Sequence, residues 1–217
     1  MRNFMKRPTL IIFLLFLSEF ALGQVYTANK KFEFDIKYFQ SQENQSTQET
    51  IILTMTGKKW KRAESQLEGI WTYSTKSKTK KNFQKQKTIG WSTVDTTGII
   101  ESEQKVWLHP PRHNQYLLTE IAPFPDFRKN LKVGDTYNVF LFIGSGFGDW
   151  AEKKIKSSYI IKETKQQAND SLWTIEASSK LDGKINNCKF IYSERRGFVL
   201  LDYNFYNGDS LTMKLKD

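Results

Sequence analysis

Alternation is the feature that most narrows the fold. Lys31 to Tyr38 reads Lys-Phe-Glu-Phe-Asp-Ile-Lys-Tyr, with Phe32, Phe34, Ile36 and Tyr38 at every second position and Glu33, Asp35 and Lys37 between them. Side chains of a strand point to opposite faces in turn, so this run predicts a strand with one buried and one wet face. Further strands are expected over Ile51 to Thr56, Trp60 to Gln66, Ile70 to Thr75, Lys87 to Trp91 and Ile99 to Trp107. Asp135 to Ile143 follows, and then a meander over Ser157 to Lys165, Leu172 to Ser179, Lys184 to Tyr192, Phe198 to Phe205 and Ser210 to Leu215. Asp182-Gly183 and Asn207-Gly208 are two-residue hairpin signals, because the favoured turn needs positive φ at both central positions. Gly197 marks another turn.

Gln40 to Gln48 is polar and reads as a loop between strands. The best helical candidate, Asp149 to Lys156, would span only about two turns. Many short strands and few short helices predict an all-β, mainly antiparallel protein: a strongly curved sheet, or an open β-barrel or half-barrel. From residue 24 onward, twelve phenylalanines, nine tyrosines and six tryptophans supply bulk for a concave interior.

Residues 1–23 read as a signal peptide. Arg2, Lys6 and Arg7 form a basic head, Leu10 to Leu17 an apolar centre, and Ala21-Leu22-Gly23 a small-residue exit. The apolar run is shorter than the ~20 residues that cross a bilayer. Cleavage is expected between Gly23 and Gln24, leaving 24–217 as a single antiparallel β domain in the periplasm or outside the cell. The single cysteine, Cys188, excludes an internal disulfide and sits in a strand pattern as a small buried hydrophobe.

The chain carries 33 basic and 23 acidic residues. Part of the excess is local. Lys76, Lys78, Lys80, Lys81, Lys85 and Lys87 lie together without an acid, after the basic run Lys58-Lys59-Trp60-Lys61-Arg62. Such a patch attracts polyanions or an anionic envelope surface, or it serves as a solvated hairpin edge that resists aggregation. Export argues against nucleic acid as the partner.

Trp107 to Phe127 departs from the pattern. It holds four of the five prolines and both histidines. His109 and His113 have the spacing of two ligands on one helical face, but Pro110 and Pro111 forbid the helix. An extended run sets the rings ~12 Å apart, so no metal and no cofactor is expected. Arg112 follows two stiffening prolines. It is placed either to clamp a carboxylate or phosphate of a ligand or to pair internally with Glu120 or Asp126. Gly144-Ser145-Gly146-Phe147-Gly148, with Asp149-Trp150 after it, has neither the dinucleotide nor the P-loop spacing and reads as a flexible lip. Glu101 and Glu103, placed on one face of a strand, read as solvated.

Leu131-Lys132-Val133-Gly134-Asp135-Thr136, the long meander, and the ending Arg195-Arg196-Gly197-Phe198-Val199-Leu200-Leu201-Asp202-Tyr203 with Asn207-Gly208-Asp209-Ser210-Leu211-Thr212-Met213 resemble a family of exported bacterial proteins. Trp-Leu-His-Pro-Pro-Arg and Ala-Pro-Phe-Pro resemble segments of secreted proteins of Gram-negative bacteria. The resemblance covers the last half of the mature chain. It implies an open β-barrel similar to that of the periplasmic lipoprotein carriers, although the carriers' capping helices have no counterpart here.

These readings converge on a non-catalytic binding or carrier module. Its apolar or amphipathic ligand, such as a lipid, would be held near Trp107, His109, Arg112, His113, Phe124, Phe147 and Trp150. The alternatives are a surface protein acting through the lysine patch, and an envelope hydrolase using His109, His113, Glu120 or Asp126. The hydrolase reading lacks a visible nucleophile–base pair. The leading reading needs an aromatic-lined cavity inside the curved sheet, and a core filled by the protein's own side chains would remove it outright.

Overall fold

The computed structural model describes residues 23–73 and 92–217. The alternating run becomes β1 (Lys31–Gln40), with Phe32, Phe34, Ile36 and Tyr38 buried and the residues between them exposed. The other strands are β2 (Gln45–Trp60), β3 (Ala63–Thr72), β4 (Val94–Glu101), β5 (Lys105–Leu108), β6 (Asp126–Arg128), β7 (Thr136–Phe142), β8 (Lys154–Gln167), β9 (Asp170–Leu181), β10 (Lys184–Ser193), β11 (Gly197–Asn204) and β12 (Ser210–Leu215). All twelve belong to one antiparallel sheet, in the order β6-β5-β4-β3-β2-β1-β12-β11-β10-β9-β8-β7. The sheet is curled into a half-barrel.

This order is a meander bent into a ring. The first and last strands pair, with Ile36 opposite Met213, so the two ends of the sheet's chain order are stitched together. The two open edges, β6 and β7, are consecutive in the chain, and the ring therefore has one seam. Side chains bridge it. The Tyr137 hydroxyl donates to the Asp126 carbonyl at 2.7 Å, and the Arg128 guanidinium stands 5.4 Å from the Tyr137 ring.

The concave face is filled from within. Between β5 and β6 the chain leaves the sheet and crosses the interior, carrying a short 3-10 helix, Asn114–Ile121. Inward side chains from both arms of the sheet hold its backbone. Trp71 Nε1 donates to His109 O at 3.1 Å and the Tyr159 hydroxyl to Phe124 O at 2.9 Å. Ser179 Oγ and Asn186 Nδ2 both donate to Ile121 O, at 2.9 and 3.0 Å. These polar groups lie inside an otherwise apolar core, where each unmade hydrogen bond would cost about 1–3 kcal/mol. They give the crossing a fixed path. Phe127 then stacks on Tyr192 at 4.4 Å, joining the crossing to β10.

The structure corrects several local expectations. The loop expected over 40–48 shrinks to residues 41–44, and β2 starts at Gln45. Trp60 to Gln66 is not one strand, since a turn at Lys61-Arg62 separates β2 from β3. Ile99 to Trp107 is likewise divided at residues 102–104, where the Ser102 hydroxyl receives the Gln104 and Lys105 amides. Glu103 therefore lies in a turn, and Glu101, at the strand end, accepts the Val25 and Tyr26 amides at 2.8 Å each. The candidate helix over 149–156 is a single 3-10 turn, Gly148–Trp150, followed by β8. Asp182 and Gly183 both take positive φ, +50° and +81°, as the two-residue hairpin demands; at Asn207-Gly208 only the glycine does, at +85°. The strand expected over 87–91 lies outside the described residues, as does Lys76 to Lys87.

Candidate functional site

Arg112 organises the rim where the inner crossing begins. Pro110 and Pro111 are buried and rigid, and they fix the approach of the chain. The Tyr73 hydroxyl accepts the Arg112 and His113 amides at 3.3 and 3.4 Å. The Arg112 side chain then reaches three groups. Its Nε lies 3.3 Å from Asp95 Oδ2, its Nη1 lies 3.4 Å from His109 Nε2, and its guanidinium faces the Phe147 ring at 6.0 Å. Arg112 thus makes the expected internal pair, but with Asp95 and not with Glu120 or Asp126. Asp126 is held instead by Arg128 at 2.8 Å.

His109 lies deeper, between Trp107 at 5.9 Å and Phe124 at 4.5 Å. Its Nδ1–H donates to the Pro110 carbonyl at 2.9 Å, which leaves Nε2 as the acceptor toward Arg112. Burial first, and then the Arg112 cation, lower its pKa to about 3, so the ring is neutral. Glu120 lies 3.6 Å from the same Nε2. Burial raises its pKa to about 7, against the pull of Arg112. The two groups are 5% exposed each. His113 lies 3.7 Å from Asp95, and burial lowers its pKa.

A cleft of about 640 Å³ opens beside this network, lined by Trp60, Lys61, Arg62, Glu68, Val94, Asp95, Thr96, Arg112, His113, Gly144, Ser145 and Phe147. Of the residues expected from the sequence, Arg112, His113 and Phe147 meet here. Trp107, His109 and Phe124 form a buried aromatic cluster behind it, and Trp150 lines a separate cleft of about 330 Å³ with Tyr38, Gln115 and Tyr206. The sequence reading had Trp60, Lys61 and Arg62 in a basic run but did not bring them to this rim, and it missed Asp95. Asp95 had a signal: it shares the inward face of β4 with Thr97 and Ile99, an unusual place for a carboxylate. Among the described residues no group of three metal-ligating side chains occurs. Cys188 is buried, its thiol 4.0 Å from the Pro123 carbonyl and pushed up by desolvation.

No family model matches the chain, and no curated protein matches it. Two solved structures share features of its fold. One is a protein from Bacteroides fragilis, inferred to be exported and described as having a YmcC-like fold. It has a TM-score of 0.44 and 7% identity over 90% of this chain and 100% of its own. The other, inferred to be a lipoprotein, is from Parabacteroides distasonis, with a TM-score of 0.39 and 10% identity over 88% of this chain and 98% of its own.

Proposed function

We propose that the protein is an exported, non-catalytic binding module, and that it takes its ligand at the rim cleft instead of in the interior of the half-barrel. One observation carries the reading. The concave space that would hold an apolar ligand in a carrier is occupied by the chain's own crossing, while Arg112, His113 and Phe147 converge with Trp60, Lys61 and Arg62 around a cleft. Trp60 and the exposed Val94 supply apolar surface, and Lys61 and Arg62 supply exposed positive charge. Glu68 and Asp95 offset only part of that charge, and Arg112 already binds Asp95. This chemistry suits an amphipathic ligand with an acidic head. Cleavage between Gly23 and Gln24 would leave an N-terminus one residue before the Glu101 clamp on Val25 and Tyr26.

The test is titration with a dansyl-labelled long-chain fatty acid. Saturable binding is expected, and Lys61→Glu/Arg62→Glu should weaken it about ten-fold, the loss of two partly screened charge contacts. Absence of saturable binding by the folded wild type, or equal binding by the double variant, would remove the cleft as the site. N-terminal sequencing of exported protein tests the cleavage position.

A further inference from the structure

We infer that the outer face of β7 to β10, at the end near the β9–β10 turn, docks onto an anionic lipid bilayer. Five large hydrophobic side chains are conspicuously exposed among the described residues, and three of them, Phe140, Phe142 and Ile185, fall on this face. The strand register aligns them. Phe140 is opposite Lys156, Lys156 opposite Lys180, and Lys180 opposite Ile185, while Phe142 is opposite Lys154. Directly opposed residues of antiparallel strands point to the same side. The result is a row of Phe140, Lys156, Lys180 and Ile185, with Phe142 and Lys154 beside it.

Among the described residues, the lysines of this row are not paired with carboxylates. Lys154 Nζ lies 4.5 Å from the Phe140 ring, and the neighbouring Lys184 Nζ lies 4.5 Å from the Tyr206 ring. Lysines nearby behave differently: Lys153 is bonded to Asp182, and Lys162 pairs with Glu176 at 3.4 Å. Asp149 and Glu152, in the β7–β8 connection, are exposed, and Asp209 in the β11–β12 turn is held by Tyr38. Unpaired lysines alone would fit any polyanion. The two phenylalanines, 57% and 69% exposed, choose among them, because a soluble acidic polymer offers their rings nothing apolar. A bilayer interface satisfies both, with acyl chains taking the rings and anionic headgroups the ammonium groups. This face is separate from the rim cleft.

The experiment is co-sedimentation of the full chain with phosphatidylglycerol/phosphatidylethanolamine vesicles and with phosphatidylcholine vesicles. The same leader is kept in every variant, so that only differences between variants are read. Phe140→Ser/Phe142→Ser and Lys154→Gln/Lys156→Gln/Lys180→Gln should each lower partitioning onto the anionic vesicles by about ten-fold or more. Circular dichroism should confirm an unchanged fold. Binding should weaken between ~0.05 and ~0.5 M NaCl and be low on phosphatidylcholine. Equal partitioning of both variants and wild type would overturn the proposal. So would a phenylalanine variant that keeps full binding while dextran sulfate competes, which would mark a polyanion surface. A wild type that light scattering shows to be a dimer, with a monomeric phenylalanine variant and no vesicle binding by either, would assign the face to a second copy.

Discussion

Arg112 on the inner crossing and Asp95 on β4 meet 3.3 Å apart, with side chains 12% and 4% exposed. The pair ties the start of the crossing to the sheet at the place where the crossing reaches the rim. Removing the cation leaves the Asp95 carboxylate buried, with the His113 imidazole 3.7 Å away. Breaking a buried pair in this way costs about 3 kcal/mol. Arg112→Ala should therefore lower the melting temperature by roughly 6–12 °C for a chain of this size. Arg112→Lys should recover part of that loss, because it restores charge but not the fork that also reaches His109. A melting curve equal to wild type would mean that the pair does not anchor the crossing.

His109 and Glu120 set a pH dependence of opposite signs. The His109 pKa falls from 6.5 to about 3 on folding. The unfolded chain binds that proton more readily, so stability from His109 is complete above pH 6.5 and is lost as pH falls toward 3. The Glu120 pKa rises from 4.5 to about 7. Its contribution is complete below pH 4.5 and is lost as pH rises through 7. Between pH 4.5 and 6.5 the two slopes cancel. Glu120→Gln removes one of them. The difference in stability between variant and wild type, from urea melts, should stay flat below pH 4.5. It should then grow in favour of the variant by on the order of 3 kcal/mol up to pH 8. A difference that does not change with pH would show that Glu120 ionises normally in the folded protein.

The strands that were legible are those with strict alternation or strong turn residues, β1 among them although it pairs with the distant β12. β8 to β12 form consecutive hairpins, so alternation and turn residues act within a few positions. Misplacements fall where turn chemistry is weak. Lys61-Arg62 contains neither glycine nor proline, and the β2–β3 register shifts between Met55 and Lys59, which breaks the alternation there. The turn at 102–104 rests on a serine hydroxyl, a signal that recurs in many non-turn contexts. The prolines did mark 107–127 as irregular. Its path through the interior was not legible, because that path is set by Trp71, Tyr159, Ser179 and Asn186, which are 35 to 65 residues from the carbonyls they hold. Asp95 and Arg112 are 17 residues apart on opposite sides of β5 and meet only once the crossing folds back to β4, whereas the sequence reading looked downstream to Glu120 and Asp126.

Gly197 and Gly134 make a controlled pair for backbone strain. Both take positive φ, +82° and +94°, which costs an L-residue about 1–2 kcal/mol. Around Gly134 there is open space, whereas a Cβ at Gly197 would lie 2.6 Å from the Tyr26 hydroxyl oxygen. That hydroxyl accepts the Phe198 amide at 3.1 Å and is itself buried, so it has little freedom to retreat. Gly134→Ala should cost only the backbone term. Gly197→Ala should cost about 1–3 kcal/mol more, from overpacking and a lengthened hydrogen bond. Equal losses in denaturant melts would show that Tyr26 can yield, and that the N-terminal segment it belongs to is loosely seated.

Cys188 reports on the crossing from the opposite side of the core. Its thiol is 5% exposed and faces the Pro123 carbonyl. A labelling reagent reaches it only when residues near Pro123 lift away, and burial further disfavours the reactive thiolate. The native protein should resist 5,5′-dithiobis(2-nitrobenzoate) at pH 8 and react fully in denaturant. The informative comparison is with Arg112→Ala. If the crossing opens as one unit, loosening it at Arg112 also exposes Cys188. A loss of about 3 kcal/mol would then speed labelling by roughly a hundred-fold, since labelling tracks the open population. If the variant melts earlier yet labels at the wild-type rate, the two ends of the crossing open independently. Trp71, Tyr159, Ser179 and Asn186 would then be separate anchors along a segmented path, and the Pro123 end would stay docked while the rim at Arg112 frays.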